Sequence, residues 1–136
     1  MSARVCRWLL WITAVTAGYV GFWALCAPRL WQEAFPGFGL RWLPVLGPYN
    51  EHLSRDVGAL YLALGALTAG AAVRAGDRYL VRLTGAVWLV FSVPHLVFHV
   101  VHLDVYGPLD RVLNVLGLGW FVLVGALLLS ARRTAR

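Results

Sequence analysis

Four histidines stand in the chain, His52, His95, His99 and His102, and three of them repeat at helical spacing. Gly85, Trp88, Ser92, His95, His99 and His102 follow at steps of three and four, which is one stripe of an α-helix. A second stripe runs through His52, Asp56, Ala59, Ala63, Ala66 and Gly70. Imidazole and carboxylate groups are ligands for Fe, Cu or Zn, and helical bundles build metal sites from side chains on facing helices. The spacing therefore nominates His52, Asp56, His95, His99 and His102 as ligands of a transition metal; haem held by two of these histidines has no motif behind it. Asn50, Glu51, Arg55, Ser92, Asp104 and Asn114 stand close enough in sequence to form a surrounding network. A hydrogen-bonded polar network or a proton relay reads the same residues without a metal.

The elements that must position these groups are apolar. Hydrophobic residues make up 60% of the chain and mean hydropathy is +0.71, more than a water-soluble domain can bury. Stretches 8–27, 57–73, 83–101 and 112–130 are each long and apolar enough to span a hydrocarbon core, which takes about 20 residues. The expectation is an all-α, four-helix transmembrane bundle forming one domain over residues 1–136. Twelve arginines and no lysine carry the positive charge. Arg4, Arg7, Arg74, Arg78, Arg82, Arg132, Arg133 and Arg136 fall on one side with Asp77. Arg29, Arg41, Arg55 and Arg111 fall on the other with Glu33, Glu51, Asp56, Asp104 and Asp110, a balance of +7 against −1. The positive-inside bias then places both termini in the cytoplasm of a multi-pass protein of the plasma (inner) membrane. No basic aromatic surface is left over for nucleic acid.

Under this topology all four histidines lie toward the outer side. The alanine row of the second span reads as its contact face toward the third, because small residues let membrane helices approach closely; His52 and Asp56 then point inward. Pro94 frees the carbonyl of Val90 and tends to kink the third span. Residues 28–49, with four Pro and three Gly among aromatic side chains, are expected to lie on the outer surface and fold over the helix ends. Asn50 reads as an N-cap, and Glu51 with Arg55 as a solvated pair at i and i+4. Cys6 and Cys26 stand about 30 Å apart on one helix and cannot pair. The first apolar stretch is too long for the core of a secretory signal.

Three segments resemble an uncharacterised group of small four-helix membrane proteins from high-G+C bacteria: Ala27-Pro28-Arg29; Pro48-Tyr49-Asn50-Glu51-His52 through Asp56-Val57-Gly58-Ala59; and His95 through His99 to His102. The group reads Asn-x-His-x-x-x-Asp-x-Gly-Ala and His-x-x-x-His-x-x-Asp, so His102 stands where the group has Asp. The overall shape is similar to the DoxX-like proteins, some of which are linked to respiratory or thiol redox systems; that likeness implies a fold and no activity. Two readings of function follow. One is a metal site acting on a lipophilic small molecule that enters beneath residues 28–49. The other is a non-enzymatic accessory subunit whose polar cluster fixes helix register, with a membrane-protein partner or a second copy of the chain beside it in the lipid bilayer.

Overall fold

The computed structural model describes residues 1–131; Arg132, Arg133 and Arg136, counted above on the inner side, lie outside the described residues. Four long helices carry the chain back and forth: α1 Ala3–Cys26, α3 Glu51–Val73, α4 Arg78–Val101 and α5 Pro108–Leu129, each long and apolar enough to cross a membrane. At about 1.5 Å per residue they run roughly 33–36 Å. Their starts are written in side chains. Ser2 Oγ accepts from the Val5 amide at 3.3 Å, Asn50 Oδ1 from Leu53 at 3.0 Å and Asp77 Oδ1 from Leu80 at 3.1 Å, each satisfying an amide that the first turn leaves free. Pro108 opens α5, where its missing N–H costs nothing. The α4 helix continues through Pro94 to Val101.

Glycines decide which helices pair. A Cβ on Gly21 of α1 would sit 2.9 Å from the Gly58 carbonyl of α3, and one on Gly85 of α4 would sit 2.7 Å from the Gly125 carbonyl of α5. Backbones this close form two tight antiparallel pairs, α1 with α3 and α4 with α5. This corrects the expectation that α3 meets α4 through Ala59, Ala63 and Ala66, which are exposed. Glycine permits a closer approach than alanine, so the face through Gly58, Tyr61, Gly65, Thr68 and Ala72 is buried instead and the alanine row turns outward.

The two pairs meet near the end where α1 begins, through Cys6, Leu10, Ala71, Ala72, Val81, Val124 and Leu128. Farther out, Trp88 stacks on Phe121 (centroids 4.7 Å, planes 14° apart) and edges against Tyr61 and Phe91. Trp88 Nε1 donates to Thr68 Oγ1 at 2.8 Å, and Thr68 donates in turn to the Leu64 carbonyl at 2.6 Å. Indole and hydroxyl thus satisfy each other across the α3–α4 seam, where no water replaces a lost partner.

Residues 28–49 form a lid over the opposite end, as the proline and glycine content leads one to expect, although they hold more regular structure than a surface segment needs. Helix α2 (Pro28–Ala34) starts on Pro28; strands β1 (Pro36–Gly37) and β2 (Leu40–Arg41) pair antiparallel; a 3-10 turn spans Pro44–Leu46. The hairpin turn needs left-handed backbone at Gly37 (φ 95°) and Gly39 (φ 84°), which glycine adopts without steric cost.

Candidate functional site: a lidded apolar cavity

Above the Tyr61, Trp88 and Phe121 layer the two helix pairs enclose a cavity of about 600 Å³ beneath the lid. Every long helix contributes to its wall: Tyr19 and Val20 from α1, Val57 and Tyr61 from α3, His95 and His99 from α4, Asn114 and Phe121 from α5. Trp31, Phe35 and Trp42 of the lid close it from above. The lining side chains include no Asp, Glu, Cys or Arg.

Hydrogen bonds hold the lid down. Tyr19 Oη of α1 donates to the Pro36 carbonyl at 3.1 Å, and the lid is braced internally by Gln32 Nε2, which donates to the carbonyls of Leu43 and Gly47 at 3.2 and 3.3 Å. Trp42 is fastened twice: its Nε1 donates to Asp110 Oδ1 at 3.0 Å, and its carbonyl accepts from Tyr106 Oη at 3.1 Å. Tyr106 sits in the turn between α4 and α5, where Arg111 Nε donates to its carbonyl at 2.8 Å. Burial first, then the nearby Asp110 carboxylate, pushes the Tyr106 phenol up to about 12, while a hydrogen bond from the Asn114 side chain works the other way.

The polar edge of the cavity lies on α4 and α5. His95 stacks on Phe91 (5.2 Å, 19°) and meets His99 edge to face at 4.8 Å. His99 is 6% exposed and Asn114 1%, and neither His99 Nδ1 nor Asn114 Oδ1 has a hydrogen-bond partner. Buried polar atoms normally have one. No family model, curated protein or solved structure matches the chain. The residues of the cavity alone therefore carry the reading of function.

The five nominated metal ligands do not converge. His52 and Asp56 do face each other, Nε2 to Oδ2 at 3.2 Å, but their side chains are 89% and 62% exposed, because the burial of Gly58 against α1 rotates this part of α3 outward. His102 is exposed as well and spends its Nδ1 on the Phe98 carbonyl at 2.7 Å. Only His95 and His99 reach the cavity. Among the described residues, no three His, Cys, Asp or Glu side chains are grouped so that they could hold a metal ion.

The network residues divide in the same way. Asn50 caps α3 and lines the cavity, and Asn114 is buried at its edge. Glu51 and Arg55 form the expected exposed pair at 2.8 Å. Ser92 is buried with its hydroxyl unpartnered and lies outside the cavity wall. Asp104 is exposed, its carbonyl accepting from Arg111 Nη2 at 3.4 Å. Sequence reasoning passed over Trp42, Tyr106 and Asp110, the residues that fasten the lid. A Trp in an interfacial segment reads as a membrane anchor, and no spacing rule links residue 42 to residue 110.

Proposed function

We propose that the protein binds a lipophilic small molecule in the cavity between its two helix pairs, with residues 28–49 as the cover. The observation that carries this reading is a cavity of about 600 Å³ with an aromatic floor and a narrow polar edge. Ligand sites are typically concave, mostly apolar and of about 300–1,000 Å³, with a few polar groups that orient the occupant. Arginine asymmetry supports a plasma-membrane protein with both termini in the cytoplasm, which puts the lid on the outer face. The wall offers two imidazoles, three amides (Gln32, Asn50 and Asn114) and hydroxyls but neither carboxylate nor thiol, a set suited to recognising a polar group through hydrogen bonds.

Filling the cavity tests the reading. Gly117 lines it, and a Cβ there would meet nothing within 4 Å, so Gly117→Trp occupies the space without displacing backbone. Organic extracts of purified wild type, compared with bulk membrane lipid by mass spectrometry, should be enriched in one lipophile. Gly117→Trp of unchanged helicity should lose it. Extracts that match bulk lipid in both proteins would overturn the proposal.

A further inference from the structure

We propose that a second pocket, at the root of the lid, binds a phosphate group through Arg29 and Arg55, and that a phospholipid headgroup supplies it.

The two ends of the lid segment meet beside the last turn of α1. Arg29 and Leu30 from its start, Tyr49 from its close, and Glu51 and Arg55 from the first turns of α3 line an open pocket of about 450 Å³, which shares no lining residue with the lidded cavity. Arg29 is exposed, and its guanidinium carbon stands 5.5 Å from the centre of the Tyr49 ring. Among the described residues no carboxylate comes within 4 Å of it. The ring holds the charge in place through its π face and leaves the five N–H donors for another partner.

Arg55 is fixed from the other side. Its Nε donates to Glu51 Oε1 at 2.9 Å, its Nη2 lies 2.8 Å from the same oxygen, and its Nη1 donates to the Leu25 carbonyl at the end of α1. Three of five donors are spent, so one N–H remains on each Nη, and the side chain is still 45% exposed. Two guanidinium groups against one carboxylate leave the pocket a net charge of +1.

That balance suits a phosphodiester, which carries one negative charge and accepts paired N–H bonds from arginine. A carboxylate lies flat against one guanidinium; a tetrahedral phosphate turns oxygens toward two. The position suggests the source. Cys26 ends α1 and Glu51 begins α3, both long and apolar enough to cross a membrane, so the pocket between them stands where spanning helices leave hydrocarbon and meet headgroups. Leu30, exposed beside Arg29, gives the first carbons of an acyl chain an apolar surface.

Native mass spectrometry of the full chain in detergent tests the site with four probes: dioleoylphosphatidylglycerol, dioleoylglycerol, oleate and inorganic phosphate. Phosphatidylglycerol should bind more tightly than dioleoylglycerol, which lacks the phosphate, and than oleate, and Arg29→Gln should weaken it about tenfold, the worth of a charge-assisted bond. Arg4→Gln removes the same charge at the far end of α1 and should change nothing. Gly117→Trp, which fills the lidded cavity, should bind phosphatidylglycerol as wild type does; loss there would move the lipid into that cavity and overturn the proposal. Equal losses in Arg29→Gln and Arg4→Gln would reduce the site to unspecific attraction and overturn it too. Dioleoylglycerol or oleate bound as tightly as phosphatidylglycerol would overturn the phosphate assignment. Inorganic phosphate that displaces the lipid, with the same dependence on Arg29, would uphold the phosphate site and overturn its lipid source. Where Arg29→Gln does not fold, the wild-type comparison of the probes decides by itself.

Discussion

The indole of Trp42 donates to the Asp110 carboxylate across sixty-eight residues of sequence, at 3.0 Å. This one bond ties the lid to the first turn of α5, and the Tyr106 hydroxyl on the Trp42 carbonyl makes the tie double. Trp42→Phe keeps the ring and removes the donor. Hydrogen bonds to charged groups contribute about 1.5–3 kcal/mol, so amide exchange across residues 28–49 should quicken by roughly tenfold or more while exchange in α1 and α4 stays as in wild type. Unchanged exchange in the lid would mean that its fastening lies elsewhere.

Helix pairing makes a second prediction, with an internal control. Gly58→Leu drives a branched side chain into the backbone of α1, where even a Cβ would come within 2.9 Å of the Gly21 carbonyl. Overpacking of this kind costs about 1–3 kcal/mol or more. Ala63→Leu adds the same side chain on the exposed row and should leave detergent stability within about 0.5 kcal/mol of wild type. Equal losses in the two variants would contradict the pairing.

The four long apolar helices, the cap at Asn50 and the folding of residues 28–49 over the helix ends were legible because each depends on local chemistry: apolar length, a capping side chain, proline and glycine density. Which helices pair was not. The alanine row of α3 and its glycine face both have helical spacing, and the choice falls on Gly58 only because Gly21 of α1 lies at the matching depth. Once α3 turns to α1, His52 and Asp56 leave the site, so two of the five nominated ligands were misplaced by a single rotation. His95 and His99 reach the cavity because the stripe of α4 was read with the right face, and Asn114 reaches it from α5.

Alkaline pH should release the lid. Tyr106 is held near 12, above its ordinary value of about 10, so the folded protein binds this proton more tightly than the unfolded chain does. Its contribution is complete below about pH 10 and is lost as pH rises toward 12. Tyrosinate absorbance near 295 nm should have a late-titrating part that shrinks by one tyrosine in Tyr106→Phe. Exchange in residues 28–49 should accelerate over the same interval, and Tyr106→Phe should abolish that acceleration. Acceleration that persists in Tyr106→Phe would assign the release to another group.

The orientation of α3 separates two histidines that resemble each other in sequence. His52 pairs with Asp56 on an exposed face, and exposed pairs of this kind contribute about 0–1 kcal/mol. The double variant His52→Ala, Asp56→Ala should therefore retain wild-type stability and wild-type lipophile content. His99 is buried at the cavity edge, and His99→Leu removes an unpartnered nitrogen from an apolar wall. Stability should hold or rise, because deleting an unsatisfied buried polar atom removes its desolvation cost, whereas the lipophile content should fall below that of wild type. Loss of binding in the double variant with none in His99→Leu would place the functional histidine on α3 and return the site to the stripe that includes Asp56.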